Sequence, residues 1–75
     1  MSPDPEDLLL DRRGIAELSR EELGPGAFIP KSKIEKLAMA GEGPPVDARL
    51  GLKYLTKKRN ARLWLRSMLR PAAAA

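Results

Sequence analysis

Neither cysteine nor histidine occurs among the 75 residues. Without cysteine there are no disulfides and no thiolate metal sites; without histidine the usual zinc sets and nucleophile–base pairs are excluded as well. Aromatic side chains are scarce, with one Phe, one Tyr and one Trp. No apolar run approaches the ~20 residues that cross a bilayer as a helix. The start, Met1-Ser2-Pro3-Asp4, lacks the basic and apolar stretches of a secretory signal. The expectation is a cytoplasmic protein with no membrane segment. A chain this short supports one domain, and such a domain buries only ~60% of the surface its unfolded chain exposes.

What the chain does have is charge, unevenly placed. Residues 1–30 carry seven acids (Asp4, Glu6, Asp7, Asp11, Glu17, Glu21, Glu22) against three arginines, a net −4. Residues 31–75 carry three acids against eleven Lys/Arg, a net +8. Basic charge gathered in one part of a small domain is the footprint of a polyanion partner. A solvated basic face accounts for charge alone equally well.

Residues 1–7 form a Pro/acidic leader expected to be disordered. The first helix signal is Leu10-Asp11-Arg12-Arg13-Gly14-Ile15-Ala16-Glu17-Leu18. Asp11 is its N-cap, able to accept the orphan amides of the first turn. Ile15 and Leu18 share the inner face. Gly14 costs up to ~1 kcal/mol relative to alanine in a helix, which points to close packing as its reason. The stretch Ser19 to Ile29 reads ambiguously: Ser19 and Glu22 have the capping-box spacing that can open another short helical turn, and Gly24-Pro25-Gly26 ends it. Phe28 and Ile29 precede Pro30 and are therefore extended, packing inward.

Pro30 to Ala40 reads as a second helix, with proline in the first turn and Gly41 as its stop. Ile34, Leu37 and Ala38 make the dry stripe. Ser32, Lys36 and Met39 line up on the other side, flanked by Lys33. The stretch Gly41-Glu42-Gly43-Pro44-Pro45 turns the chain. Val46 to Leu50 and Leu52 to Thr56 then read as two strands around Gly51. A lone two-stranded hairpin is barely stable in water, so it has to lean on helices. A last helix from about Lys58 to Leu69 places Ala61, Trp64, Leu65 and Met68 inward. Arg59, Arg62, Arg66 and Arg70 form a stripe on nearly the opposite side, with Leu63 beside it. Residues 71–75 are read as a disordered tail.

The ordered set of capped helix, connector, second helix, Gly/Pro hairpin and basic helix with Trp64-Leu65 resembles the excisionase and AlpA-like relatives of MerR-type DNA-binding domains. The resemblance covers about residues 8–66. It implies an α+β, mainly α fold: a small winged helix-turn-helix spanning 8–70, with a two-stranded β-hairpin wing and a C-terminal helix. Three departures stand out. The connector Ser19 to Phe28 is longer than the family's tight turn, Leu52 occupies a wing position often basic in relatives, and Ala61 stands where a larger apolar residue is usual.

A helix fits the DNA major groove, where each base pair presents a distinct donor/acceptor pattern. The resemblance makes residues 30–36 the recognition helix, with Lys31, Ser32, Lys33 and Lys36 as contacts. It assigns Arg49 and Lys53 of the wing to backbone or minor groove, and Lys57, Lys58 and Arg59 to adjacent phosphates. Family members called recombination directionality factors bind repeated sites head to tail, bend DNA and promote excision of a mobile element by an integrase. The implied protein is bacterial, nucleoid-associated when bound, and free of cofactor, metal, membrane or small-molecule ligand.

Acidic N-terminal and basic C-terminal parts suit such a heterologous self-contact. Met39, Leu63, Arg62 and Arg66 are the candidates for protein–protein contact, and the arginine stripe is equally an ordinary solvated face. Ile34, Leu37, Tyr54, Trp64 and Met68 are expected in the core. The alternatives are an AlpA-like transcription regulator with the same fold, and a small interaction module or inhibitor binding an acidic partner. No convergent acid/base pair, nucleophile or phosphate loop points to an enzyme.

Overall fold

Helix α1 (Arg12–Leu23) begins where the Asp11 carboxylate accepts the Gly14 amide at 2.8 Å. The computed structural model describes residues 4–69. Gly14 lies tight against Leu10: a Cβ there would come within 3.2 Å of the Leu10 Cβ, so close packing is indeed what glycine serves. The helix does not stop at Ser19. That residue is fully buried in mid-helix rather than capping a second turn. Its hydroxyl donates to the Ala16 carbonyl at 2.6 Å and accepts from the Ile29 amide at 2.9 Å. A side chain that satisfies a buried main-chain donor ten residues away is worth more inside the helix than as a cap.

Gly24 leaves the helix with φ +90°, and a 3-10 turn (Pro25–Ala27) carries the chain to the extended Phe28. Helix α2 (Lys31–Met39) follows, with Pro30 as its N-cap and Gly41, at φ +79°, past its end. Strands β2 (Ala48–Leu50) and β3 (Lys53–Lys57) form the wing, paired Ala48↔Leu55, Arg49↔Tyr54 and Leu50↔Lys53. Gly51, at φ +63°, begins the two-residue turn between them. Helix α3 (Lys58–Met68) leaves directly from β3.

The core is helical. Ile15, Ala16 and Leu18 of α1, Ile29, Ile34 of α2, and Ala61 and Leu65 of α3 are buried together. Each of Ile15, Ile34 and Leu65 contributes about 1.5–3 kcal/mol by leaving water. Leu10, Leu23, Phe28, Trp64 and Met68 pack around them. The result is the α+β, mainly α class expected of the sequence, in winged helix-turn-helix order.

Three local expectations are corrected. The sheet has three strands, because Leu9–Leu10 (β1) adds to the far edge of β3 with Leu9↔Lys57 and Leu10↔Thr56. The leader is ordered from residue 4. Pro5–Asp7 form a 3-10 turn, Asp4 accepts the Glu6 amide at 2.9 Å, and the acids find arginines on α3. Tyr54, expected in the core, is 43% exposed; the wing gives the core no large side chain. Arg70 and the 71–75 tail lie outside the described residues.

Candidate nucleic-acid interface

The wing is fastened by polar contacts at its base. Thr56 is buried and its hydroxyl donates to the Pro45 carbonyl. Asp47 accepts the Lys57 amide at 2.8 Å and the Asn60 amide group at 3.0 Å, which joins the start of β2 to the first turn of α3. These hydrogen bonds, the Asn60 one foremost, hold the Asp47 carboxyl below the ordinary aspartate value against the opposing effect of burial. The carboxylate also complements the positive end of α3, which no side chain caps. Between α2 and the wing, the chain passes so close that a Cβ on Gly43 would lie 2.6 Å from the Ala38 Cα. Trp64 donates to the Glu42 carbonyl at 3.2 Å, tying the same linker to α3.

These ties set the wing beside α2 across a groove of about 340 Å³. Lys31 and Glu35 of α2, Leu52, Lys53 and Tyr54 of the wing, and Asp11, Arg12 and Arg13 at the start of α1 line it. A second hollow of about 500 Å³ continues toward the end of α2, past Met39, Val46 and Gly43. Arg12 and Tyr54 belong to both. The Tyr54 ring carries two guanidinium groups, Arg12 at 5.3 Å and Arg49 at 5.4 Å from its centroid. Tyr54 therefore orders cations from two separate elements at the mouth of the groove.

The proposed contacts of α2, namely Lys31, Ser32, Lys33 and Lys36, are all exposed. Lys31 is partly engaged by Glu35 at 3.5 Å, one helical turn on. Arg49 and Lys53 are exposed on the wing, Lys57 is exposed at its base, and Lys58 is half-buried. Among the described residues, Arg12, Arg13, Lys33, Lys36, Arg49 and Lys53 have no ion-pair partner. Arg12 and Arg13 were not among the contacts read from the sequence. A signal for them exists: two cations in the first turn of a helix oppose its dipole, at about 0.3–1 kcal/mol each, so something else is served by keeping them there.

Arg59 belongs elsewhere. It pairs with Asp4 at 3.3 Å and Asp7 at 3.5 Å. Arg62 binds Glu6 at 2.9 Å and also Glu22, and Arg66 reaches Glu22 at 2.5 Å. The described arginines of the stripe are thus ion-paired with the acidic N-terminal part, while Arg59 and Arg66 keep more than half of their side chains exposed. Burial raises the Glu22 carboxyl, but the hydrogen bond from Arg66 and the charges of Arg62 and Arg66 outweigh it and hold the group low. Hydrogen bonding to Glu6 raises Arg62 above the ordinary arginine value despite burial, with the charges of Glu22 and Glu6 adding to the effect. Met39 and Leu63 remain exposed, Met39 at 88%.

Among the described residues no helix is long and apolar enough to cross a membrane. No family model, curated protein or solved structure matches the chain significantly.

Proposed function

We propose that the protein binds double-stranded DNA with α2 in the major groove and the wing against the neighbouring backbone or minor groove. We infer from the resemblance noted above that it serves as an excisionase-type accessory protein, a recombination directionality factor for an integrase. One observation carries the DNA-binding part. Arg12 and Arg13 of α1 and Lys53 of the wing line one groove with no ion-pair partner among the described residues, beside Lys31 of α2, which shares its charge with Glu35, while Arg59, Arg62 and Arg66 of α3 are ion-paired within the chain. Self-neutralised charge is lost to a polyanion, whereas unpaired charge held at one face is what phosphates attract.

A transcription regulator of AlpA type would use the same surface. An interaction module that seizes an acidic protein through the arginine stripe has less support, because Asp4, Glu6, Asp7 and Glu22 already occupy that stripe.

Electrophoretic or fluorescence titration of duplex DNA at several salt concentrations tests the binding. With ~6 phosphates neutralised, log affinity falls against log salt with a slope near about −5. Lys33→Ala with Lys36→Ala weakens binding by about 1 kcal/mol or more, and Lys53→Ala lowers the slope by about one. Arg59→Ala, already paired internally, changes the slope far less. Unchanged affinity in the Lys33/Lys36 double variant overturns the placement of α2. An excision assay with the cognate integrase, set beside a promoter assay, separates directionality factor from regulator.

A further inference from the structure

We propose that the wing tip, Leu50-Gly51-Leu52, is an apolar wedge that enters the minor groove of the bound duplex and opens a base step, so that the wing kinks DNA as well as gripping it. The proposal rests on the DNA-binding function above and adds how the duplex is deformed.

Leu52 is 93% exposed and Leu50 69% exposed. Neither belongs to the core or packs against it. A two-residue turn needs glycine at its first position, which Gly51 supplies, whereas its second position accepts polar residues freely. Nothing in the fold requires leucine there, and an exposed hairpin tip is normally kept polar.

The surroundings of the tip favour a polyanion. Lys53 pairs across the ladder with Leu50, and Arg49 with Tyr54, so both leucines are flanked by cations that have no ion-pair partner among the described residues. Apolar side chains set between cations are what architectural proteins push between base steps from the minor groove, bending the duplex away. That groove is roughly 6 Å wide, too narrow for a helix but open to a single side chain.

A wedge works only if its mount does not yield. The base of this wing is braced by Asp47 to Lys57 and Asn60, and by Thr56 to Pro45. The third strand, β1, pairs with β3 close to that base. The tip is therefore a stiff projection rather than a loose loop.

The test compares wild type, Leu52→Ala and Leu52→Ser on a straight duplex and on the same duplex carrying a central mismatch, with bend angle read by end-to-end energy transfer. A mismatched step has already lost part of its stacking, so a wedge prefers it, by on the order of tenfold. Wild type is expected to show that preference and to bend the straight duplex. Leu52→Ala and Leu52→Ser are expected to lose the preference and most of the bend while still binding the straight duplex through the cations of α2 and the wing. Because Leu52 is exposed, both variants fold, which circular dichroism verifies. If duplex binding persists but bend and mismatch preference survive in Leu52→Ala, the wedge is overturned and the DNA-binding function stands. If wild type binds no duplex at all, both fall together. If Leu52→Ala leaves DNA bending intact but abolishes binding to vesicles of mixed neutral and anionic phospholipid, the tip is a membrane contact and the proposal is wrong.

Discussion

Replacing Ser19 with alanine removes one oxygen and should be felt across the helix-turn-helix. Ser19 is 0% exposed. Its hydroxyl accepts the Ile29 amide at 2.9 Å, and Ile29 is buried too. With alanine at 19, that N–H has no acceptor, and a buried unsatisfied donor costs about 1–3 kcal/mol. Two effects oppose the loss. Alanine is a better helix former than serine by about 0.5 kcal/mol, and the Ala16 carbonyl keeps its main-chain donor within α1. The net expectation is about 1.5 kcal/mol of lost stability, against roughly 4–11 kcal/mol in total for a chain of this size. For a domain this small each kcal/mol moves Tm by about 4–8 °C, so the melt should fall by about 6–12 °C. Thermal and urea unfolding followed by circular dichroism measure it, and amide exchange at Ile29 locates it. A variant that melts at or above wild type, or whose Ile29 amide exchanges no faster, refutes the assignment. The consequence is functional, because this hydrogen bond fixes where the connector delivers the chain to α2.

Gly43→Ala drives a Cβ to 2.6 Å from the Ala38 Cα, a main-chain atom that cannot swing aside. A loss of about 1–3 kcal/mol by thermal unfolding is expected, together with weaker duplex binding as the wing moves relative to α2; an unchanged melt would show that the linker does not run tight against the helix. Tyr54→Leu removes the face on which Arg12 and Arg49 rest, each contact being worth about 0.5–1 kcal/mol, and lowers duplex affinity several-fold, whereas Tyr54→Phe keeps it; equal affinities for the two variants would show that the ring does not order these cations. Acid titration tests the charge network. Both Glu22 and Asp47 titrate below their ordinary values in the folded chain. The stability they add is therefore complete above the unfolded values of 4.5 and 3.8 and is lost as pH falls through the lower folded values. Unfolding followed from neutral pH into this acid range should show a shallower loss in Glu22→Gln than in wild type, and identical slopes would remove Glu22 from the network.

Much of the fold is written locally. Asp11 caps α1 with its own side chain, Pro30 and Gly41 bracket α2, and Gly51 supplies the positive φ of the wing turn. The apolar spacing of Ile15 with Leu18, and of Ala61 with Leu65, marks the faces that are buried. Each of these signals depends on residues within a turn or two of one another, so the sequence shows them directly. That Ser32, Lys33 and Lys36 of α2 point outward was legible for the same reason, whereas their assignment as DNA contacts came from the resemblance.

Composition and local order by themselves determined the helices, the hairpin, the inner faces and the imbalance of charge between the two halves. Tertiary structure alone decided which charges meet. Arg59 and Arg62 reach Asp4 and Glu6 across 55 and 56 residues, which leaves Arg12, Arg13 and Lys53 as groove cations without an ion-pair partner among the described residues. It also decided that Ser19 looks inward, that Leu9–Leu10 becomes a strand by borrowing the edge of β3, and that Arg12 and Arg13 face the wing. The physical reason is common to all: charge interaction, hydrogen bonding and strand pairing depend on distance in space, and a two-residue strand or a first-turn arginine has no periodicity that could announce its partner beforehand.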